Sequence, residues 1–238
     1  PKKTAWFDFV GKVKNNFTKL LPYKEGIDPN IFIADLSTVA KASSTVSADV
    51  GNHQMWLAQS WQTKLGQRVL FSGGMGSMGF GLPAAIGAYF AQPTNDLILI
   101  CGDGGFQMNI QELETIRRNK IPIKIFLFNN KSLGMVRGFQ EEYFNSNFQT
   151  TVIGYSVPDF KKIAYAYDLD YVACRGDKKA DFAKILQSTK PTLVEVDLDV
   201  RTPMEPKVVF GKPLDDQFPF LSDEKKQLLE NLKKEFKN

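Results

Sequence analysis

Apolar runs alternate with amphipathic stretches along most of the chain. Leu97-Ile98-Leu99-Ile100-Cys101 and Ile123-Lys124-Ile125-Phe126-Leu127-Phe128 are apolar almost throughout, the pattern of strands covered on both faces of a parallel sheet. Strands are expected near 45–50, 68–72, 97–101, 123–129, 171–174 and 192–198, with helices near 53–64, 78–92, 107–119, 157–168 and 178–189 separating most of them. Asp28-Pro29 supplies a cap and a first-turn proline, so a helix should run from there to about Ala40. The alternation predicts an α/β fold: a doubly wound, mostly parallel sheet with helices on both faces. Ahead of it, residues 1–26 space Trp6, Phe7, Phe9, Val10, Phe17, Leu20 and Leu21 as an amphipathic helix does, and Tyr23-Lys24-Glu25-Gly26 reads as a linker. Behind it, Pro203, Pro206, Pro213 and Pro219 mark an irregular arm, and 222–236 a charged surface helix with its own cap. Three parts follow: 1–26 as the tail of a preceding domain or a linker helix, 27–200 as the main domain, and 201–238 as the arm and surface helix. The chain begins at Pro1 rather than Met, as a piece of a longer protein would.

Composition narrows the function classes. At 238 residues and 43 % hydrophobic, the chain is large enough for a sizeable core. A formal charge of +4 is modest and the lysines are interspersed with acids, so neither nucleic acid nor a membrane surface is implied as a partner. No apolar stretch approaches the ~20 residues that span a bilayer. The two cysteines, Cys101 and Cys174, each end a strand-like run, which suits buried, reduced thiols and a cytoplasmic location. His53 is the one histidine, with no metal-ligand spacing around it and no nucleophile motif elsewhere for a relay.

The chemistry concentrates at two strand ends. Gly102-Asp103-Gly104-Gly105 follows the first apolar run, and Asn129-Asn130 closes the second. In a parallel sheet both ends open on the same edge, so Asp103 and Asn130 can converge although they are far apart in sequence. A carboxylate and an amide oxygen suit a hard cation such as Mg²⁺, which keeps positions open for phosphate oxygens. A helix from about Gln107 would aim its free N–H groups at the same phosphates. A second glycine run competes with this reading. Gly74-Met75-Gly76-Ser77-Met78-Gly79 matches the dinucleotide pattern, with Asp103 about 20 residues on, as a nicotinamide fold requires. Against it, Asp103 opens its own glycine turn, and such a fold has no need of Asn129-Asn130.

Gly-Asp-Gly followed at this spacing by Asn-Asn resembles the signature of thiamine diphosphate enzymes. The stretches Asp49-Val50-Gly51-Asn52-His53-Gln54-Met55-Trp56, Ser72 to Ala85, Gly104 to Leu113 and Leu133-Gly134-Met135-Val136-Arg137 are similar to the acetolactate synthase large-subunit branch, in order, from about residue 27 to 156. The resemblance implies thiamine diphosphate and Mg²⁺ as cofactors, with Asp103, Asn130 and the Ser132 backbone carbonyl on the metal. It also implies that Val50, Gly51, Asn52, His53 and Gln54 hold the terminal phosphate, with Gly102, Gly104 and Gly105 beside it. Gly74, Gly76 and Ser77 would line the pyrimidine, Met78 would bend the cofactor, and Leu133, Gly134 and Met135 would lie over it. The bland alternative for Met78 is plain core packing, and for Gly104 and Gly105 an ordinary tight turn. The activating glutamate of that family comes from an N-terminal domain, usually of a second copy of the chain, and FAD binds a middle domain in some relatives; neither domain is in this sequence. No catalytic residue is therefore expected here, and the chain alone should be inactive. The implied activity is decarboxylation or carboligation of a 2-keto acid, with pyruvate as donor. Gly138 and Phe139 depart from the family's usual Gln-Trp, and the C-terminal arm differs from the short tail of biosynthetic members. A related decarboxylase or a sugar-pathway acyl transferase therefore stays open, as do a nicotinamide oxidoreductase, from the second glycine run, and a non-catalytic module that keeps only the fold.

Overall fold

The computed structural model describes residues 2–17, 26–93, 96–176 and 180–237. Six strands, β1 (Thr45–Ala48), β2 (Arg68–Phe71), β3 (Leu97–Gly102), β4 (Lys124–Asn129), β5 (Asp170–Cys174) and β6 (Thr192–Asp197), form one sheet in the order β2-β1-β3-β4-β6-β5. Every neighbouring pair is parallel. The central strands β3 and β4 are buried at every position, as their unbroken apolar runs require.

Helices cover both faces. On one side α4 (Gly81–Ala91), α6 (Leu113–Asn119) and α8 (Phe160–Ala166) place Leu82, Ile86, Ile116 and Phe160 against Leu99, Cys101, Ile125 and Leu127. On the other, α2 (Pro29–Val39), α3 (Asn52–Ser60) and α9 (Phe182–Gln187) meet the alternate residues of β4, and Phe32 stands edge-on to Phe126, Phe128 and Phe182 at 4.9–6.1 Å. Such edge-to-face pairs exceed area burial by about 0.5–1.5 kcal/mol each. Asp28 caps α2 as its sequence requires, accepting from Asn30 N–H at 2.9 Å and Ile31 N–H at 3.0 Å.

Two helical expectations are corrected. The helix expected from Gln107 begins at Asp103: α5 (Asp103–Met108) takes Gly104 and Gly105 into its first turn. It breaks at Asn109, passes through a 3₁₀ turn at Ile110–Glu112 and resumes as α6. An additional helix, α7 (Gly134–Tyr143), follows β4; Gly134 and Gly138 weaken its helical signal.

The chain divides into two compact units, Pro22–Pro203 and a smaller one made of Pro1–Leu21 with Met204–Asn238. In the smaller unit α1 (Lys2–Phe17) pairs with α10 (Asp223–Lys237). Trp6, Phe9 and Phe236 cluster at 5.1–5.7 Å, and Lys12 Nζ donates to Glu235 at 2.8 Å. The linker expected at Tyr23–Gly26 falls, except for Gly26, outside the described residues. Among the described residues no helix is long and apolar enough to cross a membrane.

Candidate cofactor site

From β1 the chain steps to β2 on one side, then returns to β3 on the other. The crevice beyond the ends of β1 and β3 is thus a topological switch point, where open α/β sheets bind ligands. A cavity of about 230 Å³ lies there. Val50, Gly51, Asn52 and His53 line it from the end of β1, and Gly102, Asp103, Gly104 and Gly105 from the end of β3. Asn130, Ser132, Leu133, Gly134 and Met135 line it from the end of β4, with Gly76 and Met78 from the loop after β2. Gly74 and Ser77 do not reach it. The loop turns at Gly76, with φ +61°, leaving both on its exposed outer side, where Ser77 N–H donates to Ser72 Oγ at 3.1 Å. Gln54 also stays out of the lining. Trp56, Phe128 and Val136 contribute lining of their own; none of them is among the candidate site residues of the sequence.

One buried carboxylate sets the geometry of the β2 loop. Asp49, 1 % exposed, accepts from Val50 N–H at 2.6 Å and Gly79 N–H at 3.0 Å on Oδ1, and from Gly81 N–H at 3.0 Å on Oδ2. Asn109 holds the Gly79 carbonyl from the other side at 2.7 Å. The glycine run is thereby tied to the end of β1, which brings Gly76 and Met78 over the cavity.

Asp103 is 2 % exposed. Its Oδ1 accepts from Gly104 N–H at 2.7 Å and from the Tyr155 hydroxyl at 3.1 Å, while Oδ2 is buried without a hydrogen-bond partner. Burial raises its pKa to about 6, against the opposing pull of Tyr155 and the N–H groups of Gly104, Lys131 and Ser132. A buried carboxylate oxygen without a hydrogen-bond partner, on a residue that lines a cavity, suits a site for a ligand. Tyr155 carries no motif signal, because its contact with Asp103 joins distant parts of the chain.

His53 is buried against Gly51 and Gly102, with Nε2 unpartnered. Burial lowers its pKa to about 4, only partly offset by Asp49, so the ring is neutral at physiological pH. At two glycines of the cavity wall a side chain would have to displace the ends of its neighbours. A Cβ on Gly104 would lie 2.7 Å from Leu133 Cδ2 and 3.3 Å from Met78 Cε; one on Gly134 would lie 2.5 Å from Asn130 Nδ2 and 2.9 Å from Asn52 Nδ2. Among the described residues no group of three or more His, Cys, Asp and Glu could hold a metal. A cation beside Asp103 would meet one carboxylate and otherwise neutral oxygens, a set that suits Mg²⁺ only when an anionic ligand completes it.

Residues 49–196 match the model for "Thiamine pyrophosphate enzyme, C-terminal TPP binding domain". The acetolactate synthase large subunit of Lactococcus lactis is 39 % identical over 82 % of this chain and 34 % of its own length. The probable acetolactate synthase large subunit of Methanocaldococcus jannaschii is 37 % identical over 83 % of this chain and 35 % of its own. Among solved structures, the thiamine diphosphate-dependent 4-hydroxybenzoylformate decarboxylase of Rhodococcus jostii superposes with a TM-score of 0.67 at 27 % identity, over 79 % of this chain and 35 % of that one. The chain thus spans about a third of the length of these relatives. With the matched family model covering every residue that lines the cavity, this chain belongs to the thiamine pyrophosphate enzymes, as a C-terminal TPP-binding domain.

Proposed function

We propose that the chain is the diphosphate- and Mg²⁺-binding part of a larger enzyme that acts on a 2-keto acid, with pyruvate as donor in an acetolactate synthase-type carboligation. The observation that carries this reading is the buried, unpartnered Oδ2 of Asp103, in one cavity with Asn130 and Ser132. Asp103, Asn130 and the Ser132 carbonyl would hold the cation, and phosphate oxygens would supply the missing negative charge. Asn52 is a donor of the right kind for the diphosphate, next to the neutral His53, with Val50 and Gly51 leading into them. Gly76 would meet the pyrimidine, and the Met78 side chain would wedge the cofactor into its bent form. When bound, thiamine diphosphate supplies the electron sink for cleaving the 2-keto acid; the chain's own work is to orient it, neutralise its diphosphate and exclude water.

The catalytic glutamate belongs, in this reading, to an N-terminal domain of a second copy of the longer protein, so the working form is a homo-oligomer and this chain alone is inactive. Phe139, Tyr143 and Phe144, clustered at 4.6–5.9 Å on the last turns of α7 and at its end, keep 43–56 % of their surface exposed beside the cavity loops, as a partner-covered face would. The divisions 1–26, 27–200 and 201–238 and a cytoplasmic location complete the proposal; the free, buried thiols of Cys101 and Cys174 fit the last. A second reading, a related 2-keto acid decarboxylase or sugar-pathway acyl transferase, is favoured by Gly138 and Phe139, which replace the family's Gln-Trp on α7. The nicotinamide alternative loses support because the glycine run follows the edge strand β2, whereas the glycine turn that opens a helix at the switch point is Gly102–Gly105, after β3.

Calorimetry tests the core of the proposal. Thiamine diphosphate with Mg²⁺ should bind and NAD should not, and Asp103→Ala should abolish Mg²⁺-dependent retention. Unchanged affinity in Asp103→Ala would refute the site. Turnover of pyruvate by the full-length protein then separates the two reactions.

A further inference from the structure

Asn129 and Asn130 are sequence neighbours with opposite surroundings. Asn130 lines the cofactor cavity. Asn129, buried at the end of β4, turns toward β6: its Nδ2 donates to Glu195 Oε1 at 2.7 Å, and its Oδ1 accepts from Lys131 N–H at 3.2 Å. The Asn129 carbonyl accepts from Leu198 N–H at 2.9 Å. Glu195 is itself held, since its Oε2 accepts from the Tyr171 hydroxyl on β5. Glu195 lies outside the cofactor cavity, lining a separate hollow of about 650 Å³ with Tyr171 and Asn129.

This chain of bonds ends on a strained residue. Lys131 has φ +54°, the left-handed region that a residue with a β-carbon enters only under constraint. The chain bends at Lys131 and Ser132, and Lys131 N–H donates to Asn129 Oδ1 at the start of the bend while also lying near the Asp103 carboxylate. Lys131 Nζ adds a contact to Asp197 on β6 at 3.1 Å.

We propose that Glu195 is a positioning residue for the Asn130–Ser132 loop: by fixing the Asn129 amide on the β6 side, it holds the left-handed turn at Lys131 and so the direction in which Asn130 and Ser132 address the cavity. The expected effect on Mg²⁺ rests on the reading of Asp103, Asn130 and Ser132 as its ligands; the lock on the turn does not. Partners behind metal ligands typically change affinity by about 10–100-fold when removed.

The test compares Glu195→Ala and Glu195→Gln in the intact chain. It reads Mg²⁺ affinity at saturating thiamine diphosphate and hydrogen exchange at the Lys131 amide. Glutamine keeps an oxygen for Asn129 and a polar group for Tyr171, so it should stay within about threefold of wild type, whereas Glu195→Ala should lose about tenfold or more in Mg²⁺ affinity and exchange Lys131 faster. If Glu195→Ala does not fold, Tyr171→Phe, which loosens Glu195 without removing it, should move both readouts in the same direction by a smaller factor. Wild-type protection at Lys131 together with unchanged Mg²⁺ affinity in Glu195→Ala overturns the proposal, as does glutamine failing as badly as alanine. Should wild type bind no Mg²⁺ at all, the metal reading falls, and the exchange contrast alone decides for or against the lock.

Discussion

Replacing Asp49 with Asn should destabilise the fold far more than an isosteric change of one atom suggests. The carboxylate accepts three backbone N–H groups, two on Oδ1 and one on Oδ2, at 2.6–3.0 Å, and is shielded from water. With the amide oxygen placed where it serves Val50 and Gly79, the new NH₂ group confronts Gly81 N–H, donor against donor. An unsatisfied buried N–H costs about 1–3 kcal/mol, and the two remaining bonds each weaken by about 1 kcal/mol when the acceptor loses its charge. Relief of a buried charge works the other way, so the net loss should be about 2–4 kcal/mol, a large part of the roughly 5–15 kcal/mol that holds a domain together. Urea unfolding should show a lower midpoint with an unchanged slope. Ser72→Ala, which removes the exposed acceptor of Ser77 N–H, serves as the control and should cost less than about 1 kcal/mol. A loss below about 0.5 kcal/mol in Asp49→Asn would refute the tether, because the geometry leaves no neutral partner to take up Gly81 N–H.

The acid stability of the fold should depend on His53. Its folded pKa, about 4, lies below the ordinary value of 6.5, so stability is full above pH 6.5 and falls toward pH 4, by on the order of 3 kcal/mol, as the unfolded chain takes the proton the buried ring refuses. Asp103, raised from 3.8 to about 6, works in the opposite sense, adding stability as the pH falls from 6 to 3.8. His53→Gln should therefore lose less stability than wild type between pH 7 and pH 4.5 in urea titrations; equal losses would rule out a buried neutral ring. Met78→Ala in the full-length protein should keep Mg²⁺ binding while turnover drops well beyond twofold, and a change within about twofold, under 1 kcal/mol of barrier, would leave Met78 as packing only. Sedimentation of the full-length protein should show a dimer or tetramer; a fully active monomer would sink the shared site.

The strands were legible because β3 and β4 are apolar at nearly every position, and α2 because Asp28-Pro29 is a local device. Asp103 and Asn130 were legible for a similar reason: each directly follows or closes such a strand, so topology alone brings them to one edge. What escaped the sequence is non-local. The glycines at 104 and 105 read as a turn, yet they open α5, where a Cβ on Gly104 would crowd Leu133 and Met78 and one on Gly105 the Asp49 carboxylate. Gly74 and Ser77 belong to the same motif as Gly76 and Met78, but which residues of that loop turn inward is decided by Asp49 and Asn109, far from it in sequence. Tyr155 and Glu195 stand in stretches with no motif, and each matters only through a partner on another element. The pairing of α1 with α10 likewise joins segments from the two ends of the chain.

The parallel sheet also acts as a ruler. β1, β3 and β4 are consecutive neighbours, so the strand ends beyond which His53, Asp103 and Asn130 follow lie about 4.8 Å apart, a pitch fixed by backbone hydrogen bonds rather than by side chains. Core residues between the strands and the helices can then be exchanged without altering the interval between donors, provided each strand keeps its register. Insertions at the opposite edge of the sheet leave that interval untouched, whereas a one-residue slip in β4 would move Asn130 by a full residue rise, about 3.3 Å, past Asp103. The lengths of β3 and β4, more than the identity of their apolar residues, are what such a site inherits.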